Sequence, residues 1–280
     1  MAYPEWLQGL LGSRLSPERS AESEKLAYRL RNLELRTICQ TARCPNQAHC
    51  WSQGRATFLI MGEICTRGCR FCNLRPGKPR EVEEDEPWRL LRAAQELQLR
   101  HLVVTSVTRD DLADGGVAHF AKVVRVVRRG VPGIVLELLT PDFQGQTESL
   151  KAVAAAGPDV WGHNIETVPR LYPSIRLGAD YRRSLRLLAQ IRTIQPGTIT
   201  KSGLMLGLGE TGEEISEVLH DLRQAGVQHL TLGQYLAPSR RHVPAARYVV
   251  PAEFDFWGNF ARSLGFAKVK SGPLVRSSSP

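Results

Sequence analysis

From Thr57 onward, strand-like segments alternate with helix-like segments, and this alternation limits the fold more than any other feature of the sequence. Short apolar runs such as residues 102–104 and 134–136 are each followed by a stretch whose apolar residues recur at helical spacing. Such alternation is typical of parallel β/α units, and continuously apolar strands belong to sheets covered on both faces. The sequence therefore predicts an α/β protein.

Six β/α units can be traced along the chain. The predicted strands are residues 57–64, 101–106, 133–139, 159–166, 198–206 and 228–235. The predicted helices are residues 86–98, 116–129, 145–156, 181–195, 213–225 and 251–264. Six units predict an incomplete (β/α)6 barrel of the TIM type, in which reactive groups lie at the C-terminal ends of the strands.

Two flanking segments complete the expected organisation. Residues 1–56 form an N-terminal extension whose Cys, Pro and Asn content predicts an irregular path, and residues 57–270 form the barrel. Residues 271–280 form a short polar C-terminal tail. Neither flanking segment is expected to be an independent domain.

The charge balance bears on the partners of this chain. It carries 37 Lys and Arg against 28 Asp and Glu, a net charge of +9, which favours an acidic partner. Aromatic residues are not interleaved with the basic ones, so a nucleic-acid stacking surface is not expected. No apolar run reaches the roughly 18–20 residues of a membrane helix, and the first eleven residues lack the pattern of a signal peptide. We expect a cytoplasmic protein that does not enter a membrane.

All six cysteines lie between residues 39 and 72, in the triplets Cys39-x4-Cys44-x5-Cys50 and Cys65-x3-Cys69-x2-Cys72. Disulfides would suit a small secreted domain, not a chain of this length without a signal peptide. Clustered thiolates instead select zinc or an iron–sulfur cluster. Structural zinc takes four protein ligands, whereas each triplet offers three and leaves one coordination position open.

The second triplet directly follows the first predicted strand, where a parallel barrel places reactive groups. Three neighbouring thiolates can bind three irons of a 4Fe–4S cluster and leave the fourth iron open to a small-molecule ligand. The aromatic ring of Phe71, one residue before Cys72, is positioned to cover such a ligand.

The pattern C-x3-C-x-aromatic-C in this triplet resembles the hallmark of the radical S-adenosylmethionine (SAM) superfamily. Together with the upstream triplet, it makes the chain similar to the lipoyl synthase family. The similarity covers roughly residues 30–278 and includes the segments 108–112, 114–116, 163–169, 201–207 and 234–236. In the tail, Arg276-Ser277-Ser278 is similar to a family signature, although Ser279 stands where the family has tyrosine.

The resemblance implies two 4Fe–4S clusters and SAM as cofactors. It assigns the SAM-binding cluster to Cys65, Cys69 and Cys72, and an auxiliary cluster to Cys39, Cys44, Cys50 and Ser278. The implied SAM contacts are Phe71, Thr105, Ser106, Asn164, Glu166, Arg182 and Met205. Among them, Glu166 would contact the ribose, Thr105 and Ser106 the methionine amino group, and Arg182 the methionine carboxylate.

The activity implied by the resemblance is that of a sulfurtransferase. It would insert two sulfur atoms at C6 and C8 of an octanoyl group amide-linked to a lysine of a carrier protein, with the auxiliary cluster as sulfur donor. Reductive cleavage of SAM would produce a 5′-deoxyadenosyl radical that abstracts hydrogen from these unactivated carbons. The implied partners are octanoylated lipoyl-carrier domains or the glycine-cleavage H protein, an electron donor and iron–sulfur cluster delivery proteins.

Two other functions remain open from the residues. One is a methylthiotransferase-like radical SAM enzyme acting on tRNA. The other is a non-catalytic zinc-binding module for nucleic acid, whose binding would depend strongly on salt. Residues 207–212 match the pattern G-x-G-x-x-G, but the acidic residue that a dinucleotide site needs about 20 positions later is missing. By resemblance, this segment is expected to approach the adenine of SAM.

Overall fold

The computed structural model describes residues 3–13 and 17–279. Its strands are β1 (Arg36–Thr37), β2 (Thr57–Ile60), β3 (Ile64–Cys65), β4 (Arg75–Pro76), β5 (His101–Ser106), β6 (Val135–Leu139), β7 (Val160–Gly162), β8 (Ile199–Leu206), β9 (His229–Gln234) and β10 (Lys268–Gly272). Its α-helices are α1 (Glu5–Gly12), α2 (Pro17–Asn32), α3 (Ile38–Thr41), α4 (Gln47–Trp51), α5 (Glu86–Glu96), α6 (Val117–Gly130), α7 (Thr147–Ala156), α8 (Tyr172–Ile175), α9 (Tyr181–Ile194), α10 (Gly212–Gln224) and α11 (Pro251–Ser263).

The main sheet has the strand order β1-β2-β5-β6-β7-β8-β9-β10. The pair β1–β2 is antiparallel and every other neighbouring pair is parallel. A separate two-stranded sheet joins β3 to β4. Within the described residues β2 and β10 do not pair with each other, so the barrel is open. The predicted incomplete barrel of six β/α units is confirmed, and each predicted helix lies within two residues of an observed one.

Local sequence explains how several of these helices begin. Helix α10 starts with a capping box in which the Thr211 side chain accepts from the Glu214 amide, and Glu214 reaches back to the Thr211 amide. Helix α11 begins with Pro251, whose missing N–H is not needed in the first turn. The buried residues of α6 recur at helical spacing and face the sheet.

Two features differ from the sequence expectations. The N-terminal extension is not irregular, because it contains α1 to α4, and Leu26, Leu30 and Leu33 on or next to α2 are buried at helical spacing. The expectation of an irregular path is therefore wrong. The sequence also predicts no strand where β10 pairs in parallel with β9, at the edge of the sheet.

The fold leaves space inside the barrel at the C-terminal ends of the strands. Gly203 on β8 and Gly233 on β9 face this space and contribute no side chain to fill it. The apolar core lies mainly between the sheet and the helices, in two clusters around residues such as Phe120 and Phe254. Among the described helices, none is both long and apolar enough to cross a lipid bilayer.

Candidate functional site

A cavity of about 590 Å³ opens at the C-terminal ends of the strands. Five cysteines line it, namely Cys39, Cys44, Cys65, Cys69 and Cys72. It is also lined by most of the residues expected to contact SAM, namely Phe71, Thr105, Ser106, Asn164, Glu166 and Met205. The tail contributes Ser277 and Ser278. Thiols of both triplets and the expected serine ligand therefore share one cavity, whereas Cys50 is half-buried and is not among the lining residues.

In the loop that carries the second triplet, two backbone amides hydrogen-bond the sulfur of the first cysteine. Cys65 Sγ accepts hydrogen bonds from the amides of Thr108, at 3.3 Å, and Arg67, at 3.4 Å. Burial, with a smaller contribution from the neighbouring sulfurs, raises the pKa of Cys69 to about 11 and that of Cys72 to about 12. Without a cation these thiols stay protonated at neutral pH, so they require the positive charge of bound metal to become ligands.

The chemistry of the donor set fits an iron–sulfur cluster. The cysteines of both triplets form no disulfides, and soft thiolates are the ligands that such clusters prefer. Among residues 3–13 and 17–279, no three His, Cys, Asp or Glu side chains stand close enough together to hold a single metal ion. Cys65, Cys69 and Cys72 would hold the SAM-binding cluster.

Arg67 anchors the cysteine loop to the barrel. Its guanidinium donates to both oxygens of Asp110, with Nε 2.7 Å from Oδ2, and to both oxygens of Asp142, with Nη2 2.7 Å from Oδ1. Asp142 is fully buried and also accepts from Arg183 Nε at 2.8 Å. Burial alone would favour a neutral carboxyl, but Arg67 and Arg183 hold the pKa of Asp142 far below its usual value.

The cavity wall carries polar atoms suited to a SAM-like ligand. Ser106 Oγ is buried without a hydrogen-bond partner among the described residues. Thr105 Oγ1 donates to the Leu139 carbonyl at 2.9 Å, and Asn164 Nδ2 donates to Glu166 Oε1 at 3.0 Å. Glu166 has a φ of 67°, a conformation that is strained for a side chain of this kind and typical of functional sites. Burial raises the pKa of its carboxyl.

The structure does not bring Arg182 to this cavity. Arg182 is exposed on α9 and is absent from the lining, whereas Arg176, which the sequence did not indicate, is buried and lines it. His163 holds Arg176 in place. Its Nδ1 must carry the proton because Nδ1 lies 2.9 Å from the Thr140 carbonyl, so Nε2 accepts from Arg176 Nη2 at 3.3 Å. Burial and the charge of Arg176 lower the pKa of His163 to about 4.

The first triplet spans two short helices of the N-terminal extension, with Cys39 on α3, Cys50 on α4 and Cys44 in the turn between them. Thr37 caps α3 by accepting a hydrogen bond from the Gln40 amide, which fixes the start of the helix that carries Cys39. Burial, with smaller contributions from the nearby Cys44 and Cys50, raises the pKa of Cys39 to about 11. The half-buried Arg276 of the tail lies close to Cys44; burial lowers the pKa of its guanidinium, and Cys44 opposes that shift. The first triplet is therefore in contact with the C-terminal tail.

The tail is tied to the N-terminal extension and to the barrel. Asn46 Nδ2 donates to the Leu274 carbonyl at 2.6 Å. Arg276 and Ser279 close a turn, in which the Ser279 amide donates to the Arg276 carbonyl at 2.8 Å and the Arg276 amide donates to Ser279 Oγ at 3.0 Å. Ser279 thus closes this turn, and Ser278 within it lines the cavity.

The glycine-rich segment 207–212 does not present its amides to the cavity. The N–H groups of Gly207 and Leu208 donate to the carboxylate of Glu210, which is buried. None of these residues lines the cavity, whereas Met205, at the end of β8, does. The expected approach of this segment to the SAM adenine does not agree with its place, because the turn binds its own side chain.

Comparison with known proteins defines the class. Residues 59–222 match the Radical SAM superfamily, which implies a 4Fe–4S cluster and SAM. Three relatives are named lipoyl synthase. That of Methylococcus capsulatus is 53% identical over 276 residues, covering 98% of this chain and 84% of the relative. Those of Caldanaerobacter subterraneus and Geotalea uraniireducens are 49% and 53% identical over 275 residues, each covering 98% of this chain and 94% of the relative. The chain belongs to the lipoyl synthase family.

Solved structures agree with the fold. Streptococcus suis SuiB bound to the precursor peptide SuiA aligns with a TM-score of 0.58 at 13% identity, covering 76% of this chain and 48% of SuiB. Methylornithine synthase (PylB) aligns with a TM-score of 0.53 at 14% identity, covering 90% of this chain and 83% of PylB. At such identities the likeness shows the fold alone, and this chain spans about half the length of SuiB.

Proposed function

We propose that this enzyme inserts two sulfur atoms at C6 and C8 of a protein-bound octanoyl-lysine to form the lipoyl group. The observation that carries the proposal is the single cavity lined by thiols of both triplets and by Ser278. One triplet would bind the SAM-binding cluster, and Cys39, Cys44, Cys50 and Ser278 would bind an auxiliary 4Fe–4S cluster that donates sulfur. A shared cavity allows one bound chain to meet both centres.

The side chains of the cavity would position the reactants. When bound to Cys65, Cys69 and Cys72, the SAM-binding cluster would supply the electron for reductive cleavage of SAM and so for hydrogen removal from unactivated carbon. The buried hydroxyl of Ser106 would form a hydrogen bond with SAM, as donor or acceptor. The guanidinium of Arg176 would pair with the carboxylate of SAM. Apolar side chains such as Ile38, Leu74 and Leu139 line the same cavity and would exclude water from the acyl chain.

The partners follow from this reaction. The substrate would be an octanoylated lipoyl-carrier domain or the glycine-cleavage H protein, and the net charge of +9 would assist encounter with an acidic carrier. An electron donor would reduce the SAM-binding cluster, and iron–sulfur cluster delivery proteins would rebuild the auxiliary one. A reducing cytoplasm would keep the six cysteines available as thiols.

Metal content and spectroscopy test the proposal. Anaerobically reconstituted protein is expected to hold about eight irons per chain, with matching sulfide. The triple variants Cys65/Cys69/Cys72→Ala and Cys39/Cys44/Cys50→Ala are each expected to lose about half of this iron. Low-temperature EPR of the reduced protein should then distinguish the two remaining centres. Both variants should fail to form lipoyl groups on an octanoylated carrier, but only the first should fail to cleave SAM.

Other results would support the alternative functions. Stoichiometric zinc without iron, together with salt-dependent binding of nucleic acid, would favour the zinc module and contradict the enzyme. Eight irons without sulfur insertion into an octanoylated carrier, but with methylthiolation of tRNA, would favour the methylthiotransferase.

Replacing Ser278 by cysteine tests the auxiliary site more finely. An Fe–O bond to serine is expected to be weaker than an Fe–S bond, which would help the cluster to give up sulfur. Ser278→Cys should therefore retain about eight irons but insert sulfur at least about tenfold more slowly. Ser277→Ala, one residue away, serves as the control. Full sulfur insertion by Ser278→Cys would contradict the proposed role of the hydroxyl.

A further inference from the structure

A buried ion pair crosses the barrel interior near the N-terminal ends of the strands. Lys201 Nζ on β8 lies 2.7 Å from Glu137 Oε1 on β6, and both side chains are less than a tenth exposed. His101 Nε2 lies 3.1 Å from the other oxygen of Glu137. These residues line a second cavity of about 190 Å³. The cluster-binding thiols line the larger cavity instead, so this pair needs an explanation of its own.

Lys201 also contacts the C-terminal tail. Its Nζ donates to the Ser279 carbonyl at 3.3 Å, and Ser279 lines the second cavity. An ammonium group has three N–H donors, so Lys201 can hold Glu137 and Ser279 at once. Ser278, the preceding residue, lines the larger cavity. The end of the tail therefore passes between the two cavities, and Lys201 contacts it from the side of the second cavity.

Stability alone does not explain why this ion pair is buried. Taking two charges out of water costs several kcal/mol, and well-packed apolar residues often stabilise a core as much as or more than a buried pair. Although burial opposes ionisation, His101 and Lys201 lower the pKa of Glu137. The carboxylate thus keeps a charged lysine inside the barrel. The charged lysine donates a strong hydrogen bond to a backbone carbonyl of the tail, which an apolar residue could not do.

We propose that Lys201, held by Glu137, is a positioning residue that anchors the C-terminal tail from inside the barrel. Through Ser279 it fixes the turn that presents Ser278 to the larger cavity. The functional meaning of this anchor rests on the proposed role of Ser278 at the auxiliary cluster. The anchoring itself is a property of the chain and can be measured without any reaction.

Hydrogen–deuterium exchange on the anaerobically purified holoenzyme tests the anchor. In Lys201→Met, exchange of the Arg276 and Ser279 amides is expected to be about tenfold faster or more, the effect of losing one charge-assisted hydrogen bond. The double variant Lys201→Met/Glu137→Met removes both charges and leaves no unpaired carboxylate, and it should show the same acceleration. Lys151→Met, which breaks an exposed pair with Glu148, is the control and should exchange as wild type.

The outcomes separate the anchor from general destabilisation. Wild-type exchange of the tail in both Lys201 variants would overturn the proposal. Acceleration in the single variant but not in the double variant would also overturn it, because the cause would then be the unpaired Glu137. Faster exchange across β5 to β9 would indicate a damaged barrel and likewise contradict a local anchor.

Activity measured on the same variants connects the anchor to the reaction. Both Lys201 variants should retain SAM cleavage and lose most of their sulfur insertion, because the proposed auxiliary cluster depends on Ser278 and the SAM-binding cluster does not. If wild-type protein inserts no sulfur, the proposed function fails while the exchange experiment still decides the anchor. If wild-type protein inserts sulfur and the tail of both variants exchanges normally, only the anchor fails.

Discussion

Replacing Gly233 by alanine is expected to displace the C-terminal tail and to slow lipoyl formation about a hundredfold or more, the effect of misplacing a reacting group by about 1 Å. A Cβ at this position would overlap the Val275 carbonyl oxygen and lie 3.1 Å from the Val275 carbonyl carbon. Gly233 cannot move away, because β9 is paired with β8 on one side and β10 on the other. The tail must therefore shift and take Ser278 with it.

The measurement is lipoyl formation on an octanoylated carrier, compared with SAM cleavage by the same sample. SAM cleavage should persist in Gly233→Ala, because the tail carries none of the three cysteines assigned to the SAM-binding cluster. Gly197→Ala is the matched control, since a Cβ there would have nothing within 4 Å. Wild-type lipoyl formation by Gly233→Ala would show that the tail tolerates the shift and would contradict the prediction.

Replacing Arg67 by methionine is expected to lower the free energy of unfolding by about 3–5 kcal/mol, the cost of breaking a buried ion pair from one side. The variant leaves fully buried Asp142 with Arg183 and leaves Asp110 without its guanidinium. Because Arg67 lies between Cys65 and Cys69, the cysteine loop should also lose its fixed shape. We therefore expect the SAM-binding cluster to be lost along with stability.

Urea denaturation of the apoprotein measures the first effect, and iron content after anaerobic reconstitution measures the second. Arg92→Met removes an exposed pair with Glu96 on α5 and should change neither quantity. Equal unfolding free energies for Arg67→Met and Arg92→Met would refute the anchoring role. Normal stability together with a loss of iron would show that Arg67 supports cluster binding but not the stability of the fold.

The barrel was predictable because its central strands contain continuous apolar runs. Val104 and Leu136, for example, are fully buried within β5 and β6. Edge strand β10 was not predicted because Lys268 and Lys270 interrupt its apolar pattern. Its backbone pairing with β9, which the sequence pattern does not indicate, makes it a strand. The helices of the N-terminal extension escaped because α2 is mostly polar and has only a narrow apolar stripe that meets the core.

The cysteine-lined cavity was predictable in outline because parallel strands bring their C-terminal ends to one side of the sheet. The particular arginine was not. Arg176 precedes α9 and Arg182 lies within it. Tertiary contacts of the Arg176 guanidinium, with Tyr172, Ser184 and His163, bring Arg176 to the cavity. The partners of Arg67 lie 43 and 75 residues away, a separation at which sequence patterns give no signal. Its position between two cysteines was the one available hint.

The hydrogen bond between Asn46 and the Leu274 carbonyl bears on how the molecule assembles, because the two residues are 228 positions apart. Contacts over such distances close late, since the entropy of forming a large loop must be overcome first. The contacts of Cys65 and Arg67 with residues 108–142 can form earlier during synthesis, whereas those of Arg70 and Cys72 with Val243 and His242 form late. A newly made chain can therefore fix the start of the second triplet's loop well before the tail reaches the first triplet.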